Sequence, residues 1–235
     1  MRDKLLLLTL LGSLIFNIYA QRTDIQIVES IFKDNNVQWN IDERVMMKGN
    51  RVVGLNLNGD ITASYLTVLN RDIGKLTELN VLSINDNDLS EIPEEIYALT
   101  KLTKLEIKNN NLQNLPEGIS NLASLEELDL RHNGLEELPA DITDLENIRA
   151  LQLWGNKLST LPHQIGNLHS LKELYLNNNR LISLPQSITK LNLSYFDISF
   201  NYIRDSEASV DTWIKSYNKN YRTEQFEKKG GFHYL

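Results

Sequence analysis

Apolar and polar positions along this chain keep step with a period of 23 residues. Leu82, Leu105, Leu128, Leu151 and Leu174 form one column, and Ile84, Ile107, Leu130, Leu153 and Leu176 form a second two residues later. Asn87, Asn110, Asn133, Asn156 and Asn179 form a third, and Pro93, Pro116, Pro139, Pro162 and Pro185, all the prolines of the chain, a fourth. Ile96, Ile119, Ile142, Ile165 and Ile188 follow the prolines, and Leu99, Leu122, Leu145, Leu168 and Leu191 close each unit. Two apolar residues spaced by two point to one face of a strand, and the residue between them points to the other. Proline fixes φ and cannot donate to a ladder, so it turns the chain out of the strand. A repeat of this length cannot bury its apolar face alone, and neighbouring copies must stack.

The asparagine column falls where the chain leaves the strand and its backbone groups lose their ladder partners. A buried amide both donates and accepts, and can satisfy such groups in the adjoining coil. A sixth unit, Leu193, Phe196, Ile198, Asn201 and Ile203, arrives one residue early. An opening unit, Val52, Leu55, Leu57, Asp60, Leu69, Ile73 and Leu76, carries about four extra residues and has Asp60 at the amide position. Asp accepts but does not donate, so the column is expected to begin weakly there.

The unit L-x-x-L-x-L-x-x-N-x-L-x-x-L-P-x-x-I-x-x-L-x-x resembles the leucine-rich repeat family, in its 23-residue L-P-x-x-I subclass of Ras-suppressor-like and many secreted bacterial proteins. The resemblance covers residues 51–203. It implies an α/β fold: a right-handed solenoid of about seven coils, with a parallel β-sheet on its concave face and small helical caps. It also implies that Asn87, Asn110, Asn133, Asn156, Asn179 and Asn201 form an asparagine ladder.

Both open ends of a stack need covering. Ile25, Val28, Ile31 and Phe32 recur at helical spacing, followed by Trp39 and Ile41 in an extended stretch, so residues 21–50 read as a helix plus edge strand. Residues 204–226 read as a C-terminal helical cap, with Val210, Trp213, Ile214, Tyr217 and Tyr221 on one face. Their W-I pair and Tyr221-Arg222-x-x-Gln225 are similar to the caps of secreted bacterial repeat proteins. Residues 227–235 lack periodicity and read as a tail. Residues 1–20 have a basic start, an apolar run over 5–19 and Ala20, the pattern of a cleaved secretory signal. The run is shorter than the ~20 residues a membrane helix needs, so no stable span is expected after cleavage.

Composition narrows the function. The net charge of −7 lacks the basic footprint of a nucleic-acid binder. The absence of cysteine excludes disulfides, a thiol nucleophile and thiolate-bound metal. No nucleophile motif, zinc motif or phosphate loop is present. The stretch 85–88, Asn-Asp-Asn-Asp, lacks the Gly and bidentate Glu of a calcium loop. His132, His163, His169 and His233 are scattered. A non-catalytic, monomeric module without cofactor or metal is therefore expected, secreted, periplasmic or at the cell surface. A structural spacer of the envelope is the competing reading, and a cytoplasmic signalling scaffold becomes the better one if the signal is unused.

The family's concave face supplies the candidate ligand site. Trp154, Tyr175 and Tyr195 fall on successive strands, each stepped by two residues, which makes a diagonal aromatic stripe with neighbours roughly 8 Å apart. Exposed Trp and Tyr are enriched at binding hot spots, and flat rings also suit sugars. Arg131 and His132 border the stripe, and Asp129 lies beside them. The expected partner is a protein or glycan. Lys108 and Arg131 are expected to be neutralised by Glu106 and Asp129. A sheet of seven strands, ~34 Å by ~17 Å, is smaller than the ~800 Å² patch of a standard interface, so a protein partner must also use the rims or bind weakly.

Overall fold

The computed structural model describes residues 23–60, 64–204, 207–218 and 225. The proposed signal segment, Tyr221 and residues 227–235 lie outside the described residues. The chain opens with helix α1, Asp24–Asp34, which buries Ile27, Val28, Ile31 and Phe32 against the first coil, while Ile25 is only half-buried. Thr23 and Gln26 close its N-terminus with a reciprocal capping box. Asp24 is buried and ties the helix to the sheet, its Oδ2 accepting from the Val52 amide at 2.8 Å and Arg51 Nε at 2.9 Å.

Among the described residues eight strands form one sheet in sequence order: β1 Val45–Lys48, β2 Arg51–Asn56, β3 Val81–Ser83, β4 Lys104–Glu106, β5 Glu127–Asp129, β6 Ala150–Gln152, β7 Glu173–Tyr175 and β8 Tyr195–Asp197. The seven from β2 onward are parallel and in register, Leu55, Leu82, Leu105, Leu128, Leu151, Leu174 and Phe196 lying side by side. β1 is antiparallel to β2. The edge strand thus falls later than the extended stretch read at Trp39 and Ile41. Ile41 begins a 3₁₀ turn capped by the Asn40 side chain, and Trp39 packs edge-on against Phe32, with ring centroids 5.4 Å apart.

Each coil returns across the convex side through a short 3₁₀ turn, and Pro93, Pro139 and Pro185 stand at the N-cap of three of them. The two leucine columns and the isoleucines after the prolines line one continuous apolar core. A fully buried Leu contributes ~1.5–3 kcal/mol by leaving water, so the columns supply the main cohesion between coils.

The asparagine column runs through that core as a set of rungs. The Asn156 amide donates to the Leu130 and Leu153 carbonyls, and its Oδ1 accepts from the Leu135 amide. Asn87, Asn110, Asn133, Asn179 and Asn201 repeat the pattern toward the preceding coil. Gln225 adds a further rung, Nε2 donating to the Ile198 carbonyl and Oε1 accepting from the Ile203 amide. The longer side chain reaches in from outside the repeats to the groups a next asparagine would satisfy. Helix α2, Ala208–Tyr217, then covers the last coil through Val210 and Ile214. Trp213 packs at a tilt against Phe196 and donates Nε1–H to the Leu191 carbonyl. At the opening coil the Asp60 carboxylate serves its own loop instead, accepting from the Ser64 amide.

Candidate binding site on the concave sheet

The strands place the predicted residues on one face but not as one stripe. Tyr175 on β7 and Tyr195 on β8 stack with centroids 4.5 Å apart and planes 29° apart. Backbone spacing alone predicts ~8 Å; the side chains lean together along the diagonal. Trp154, just beyond β6, turns the other way and packs edge-on to His132, centroids 3.9 Å apart. Among the described residues no ring contact joins Trp154 to Tyr175. The face therefore carries two aromatic pairs. Trp154 and Tyr175 are half-buried, and Tyr195 is 44% exposed.

The Trp154 pair is held from below. Arg131 Nε and Nη2 grip both oxygens of the buried Asp129 at 2.8 and 2.6 Å, while the Asp129 Oδ1 also accepts from the Arg131 amide. The guanidinium, its pKa raised chiefly by that bond, lies 5.8 Å from the Trp154 ring centre. Burial lowers the His132 pKa, and the Arg131 charge lowers it further. Tyr175 donates its hydroxyl to Glu173 at 3.1 Å; burial first, and that carboxylate second, raise its pKa. Burial and the Asp197 charge raise the Tyr195 pKa.

The expected neutralisation is only half correct. Asp129 takes Arg131, but Glu106 pairs with Lys104 at 3.1 Å rather than with Lys108, and its other oxygen accepts from Ser83. Lys104 also reaches Glu127 at 3.1 Å. Lys104 and Glu106 alternate on the same strand and share its concave side, whereas Lys108 stands past the strand end, where its backbone amide is claimed by Asn85 Oδ1.

A column of left-handed residues runs beside the ladder. The residue before each ladder amide has left-handed backbone: Asp86, Asn109, His132, Gly155, Asn178 and Phe200 all have φ between 50° and 72°. Asp, Asn, His and Gly tolerate that region, so the residue types of this column carried the signal. Gly155 has a second constraint, because a Cβ there would stand 2.7 Å from His132 Nδ1. The His132–Trp154 contact thus requires glycine in the next coil. Phe200 is the bulky exception and is 51% exposed. It borders a shallow hollow of about 370 Å³ with Tyr195, Ser199 and Tyr217.

Further along the rim, Asn58 Oδ1 accepts from the Asn85 amide at 2.7 Å and Asn85 Oδ1 from the Lys108 amide at 2.9 Å. This second relay of amides was not legible as such in the sequence. The 85–88 stretch spends its polar groups in the same way, Asp86 accepting from Asn109 and Asp88 from Asn111. Among the described residues no cluster of His, Asp or Glu could hold a metal ion, and no helix is long and apolar enough to cross a membrane.

A curved parallel sheet backed by convex 3₁₀ turns and threaded by an amide ladder defines a leucine-rich repeat solenoid. The leucine-rich repeat region profile matches residues 55–138 and the leucine rich repeat profile residues 146–203, and the chain belongs to this family. Among solved structures, a leucine-rich repeat protein of Leptospira interrogans is 30% identical with a TM-score of 0.58, the match covering 68% of this chain and 46% of that one. The plant peptide hormone receptor RGFR1, in complex with RGF2, is 32% identical with a TM-score of 0.53, over 66% of this chain and 28% of the receptor. The PEPR1–AtPEP1 structure is 26% identical with a TM-score of 0.54, over 76% and 31%. This chain thus spans less than half the length of each. No curated protein matches it.

Proposed function

We propose that this protein is a non-catalytic recognition module that binds a protein or peptide ligand on the concave sheet, through the Trp154–His132 and Tyr175–Tyr195 pairs. The observation that carries this reading is the coexistence of half-exposed aromatic rings with a half-buried Arg131 that the buried Asp129 holds beside Trp154. Rings held in place lose little freedom on binding, which favours them as anchors. The peptide hormone receptor among the similar structures supports a peptide ligand over a glycan. Secretion, or retention at the cell envelope, rests on the signal pattern of residues 1–20. Amino-terminal sequencing of the mature product tests it; a chain still beginning at Met1 refutes it.

The binding test is capture of partners from extracellular and envelope material by the parent and by Trp154→Ala and Tyr175→Ala. Each substitution is expected to weaken capture roughly 30-fold, the equivalent of a ~2 kcal/mol hot spot, with an unchanged circular dichroism spectrum. Unchanged capture by both variants refutes the concave aromatic site. A spacer of the envelope would instead lose function on changes to the caps or rims.

A further inference from the structure

Resting on the concave-face reading, we infer that the ligand is a peptide that presents a carboxylate to Lys108 and Arg131, with an apolar residue nearby on Trp154. Arg131 binds Asp129 side-on through Nε and Nη2. That leaves the Nη1–Nη2 edge of the planar guanidinium, a fork that matches a second carboxylate in the same bidentate manner. Asp129 already fixes the fork's direction, so a ligand need not order it.

Lys108 stands next to it. The backbone pairing of β4 with β5 continues past both strands, the Asn109 amide donating to the Arg131 carbonyl at 2.9 Å, which sets Lys108 and Arg131 in adjoining rows. Among the described residues Lys108 has no ion-pair partner, because Glu106 is taken by Lys104 and Ser83. Arg131 with Asp129 is near neutral, and Lys104 is shared between Glu106 and Glu127, so among the described residues the Lys108 ammonium is the cation at this point that no carboxylate contacts. The Lys108 and Arg131 charges both lower the His132 pKa, which places all three groups within electrostatic reach. A carboxylate here would gain a fork and a point charge together. Trp154 lies one strand further, about 4.8 Å away, within the reach of a side chain one or two residues along an extended peptide.

The carboxylate can be an Asp or Glu side chain or the peptide's own C-terminus, and one experiment separates these sources. Fluorescein-labelled decapeptide pools, degenerate except for a central Glu-x-Leu or Gln-x-Leu, are made as free acids and as C-terminal amides. Their binding to the purified protein is followed by fluorescence anisotropy. A side-chain source predicts that the Glu amide pool binds about tenfold tighter than the Gln amide pool. A C-terminal source predicts a similar advantage of the Gln free acid over the Gln amide. In either case Lys108→Gln, at a solvent-facing position that leaves Asp129 paired, should remove most of the advantage. Equal binding of all pools, an advantage that survives Lys108→Gln, or no binding of any pool at about 1 mM overturns the inference. If the pools bind equally and Trp154→Ala weakens them all, the aromatic site stands and only the carboxylate falls. If Trp154→Ala changes nothing, the site itself is misplaced.

Discussion

The rung at Asn179 offers the sharpest test of what holds the coils together. Its Oδ1 accepts from the Leu158 amide at 3.0 Å, and its Nδ2 donates to the Leu153 and Leu176 carbonyls, each at 3.0 Å. Leu153 also receives Asn156, and Leu176 also receives Asn201, so both carbonyls keep one donor when Asn179 is lost. The Leu158 N–H has no second acceptor and becomes a buried orphan. Asn179→Ala should therefore cost about 1–3 kcal/mol for that donor and ~0.5 kcal/mol for each thinned carbonyl, ~2–4 kcal/mol in all. Asn179→Asp keeps the acceptor but turns an oxygen toward two carbonyl oxygens. Its carboxyl is thus pushed to a raised pKa in the folded state. The folded state then binds more protons than the unfolded one between the two values. The Asp variant should lie closest to the parent below about pH 3.9, the unfolded value, and lose ground as pH rises through it.

Urea unfolding followed by circular dichroism and by tryptophan fluorescence measures both effects. Trp39, Trp154 and Trp213 report the first cap, the middle and the last cap, so coincident transitions also establish whether the stack unfolds as one unit. With a slope near 3 kcal/mol per molar, Asn179→Ala should move the midpoint by about 1 M. A loss below ~0.5 kcal/mol, or an Asp variant whose deficit does not vary with pH, would refute the assignment of the ladder as a source of cohesion.

Gly155→Ala should destabilise by ~1–3 kcal/mol, from a left-handed φ of +72° and a Cβ driven against His132. His132→Asn in the same chain should recover the clash but not the φ strain, and strict additivity in thermal melts would argue against the contact. The Trp154 emission should be quenched as the pH falls and His132 protonates, with a midpoint below the ordinary 6.5 because burial, Arg131 and Lys108 outweigh Asp129. Between that midpoint and 6.5 the unfolded chain binds more protons, so this stabilising contribution is complete above 6.5 and is lost as pH falls. A midpoint at or above 6.5, or quenching that persists in His132→Asn, contradicts the geometry.

The repeat pattern was sufficient for the architecture. Strand registers, the columns that pack the core, and the amides that lie among them recur every 23 residues because each coil repeats the same local backbone. Even the left-handed position was written in its residue types, Asp, Asn, His, Gly and Asn. What the period does not contain is the choice each side chain makes among neighbours at similar distance. Lys104 and Lys108 both flank Glu106, and only packing on the concave side gives the carboxylate to Lys104 and leaves Lys108 uncompensated. Tyr175 and Trp154 are both one step from a neighbouring ring, yet one leans to Tyr195 and the other to His132. Gln225 lies outside the repeats, and only the tertiary structure brings its amide to the Ile198 carbonyl and the Ile203 amide. Sequence by itself determined the solenoid, since short-range spacing dictates it. The tertiary structure decided which side chains pair on the concave face, since rotamers and charge pairing are settled between coils rather than within them.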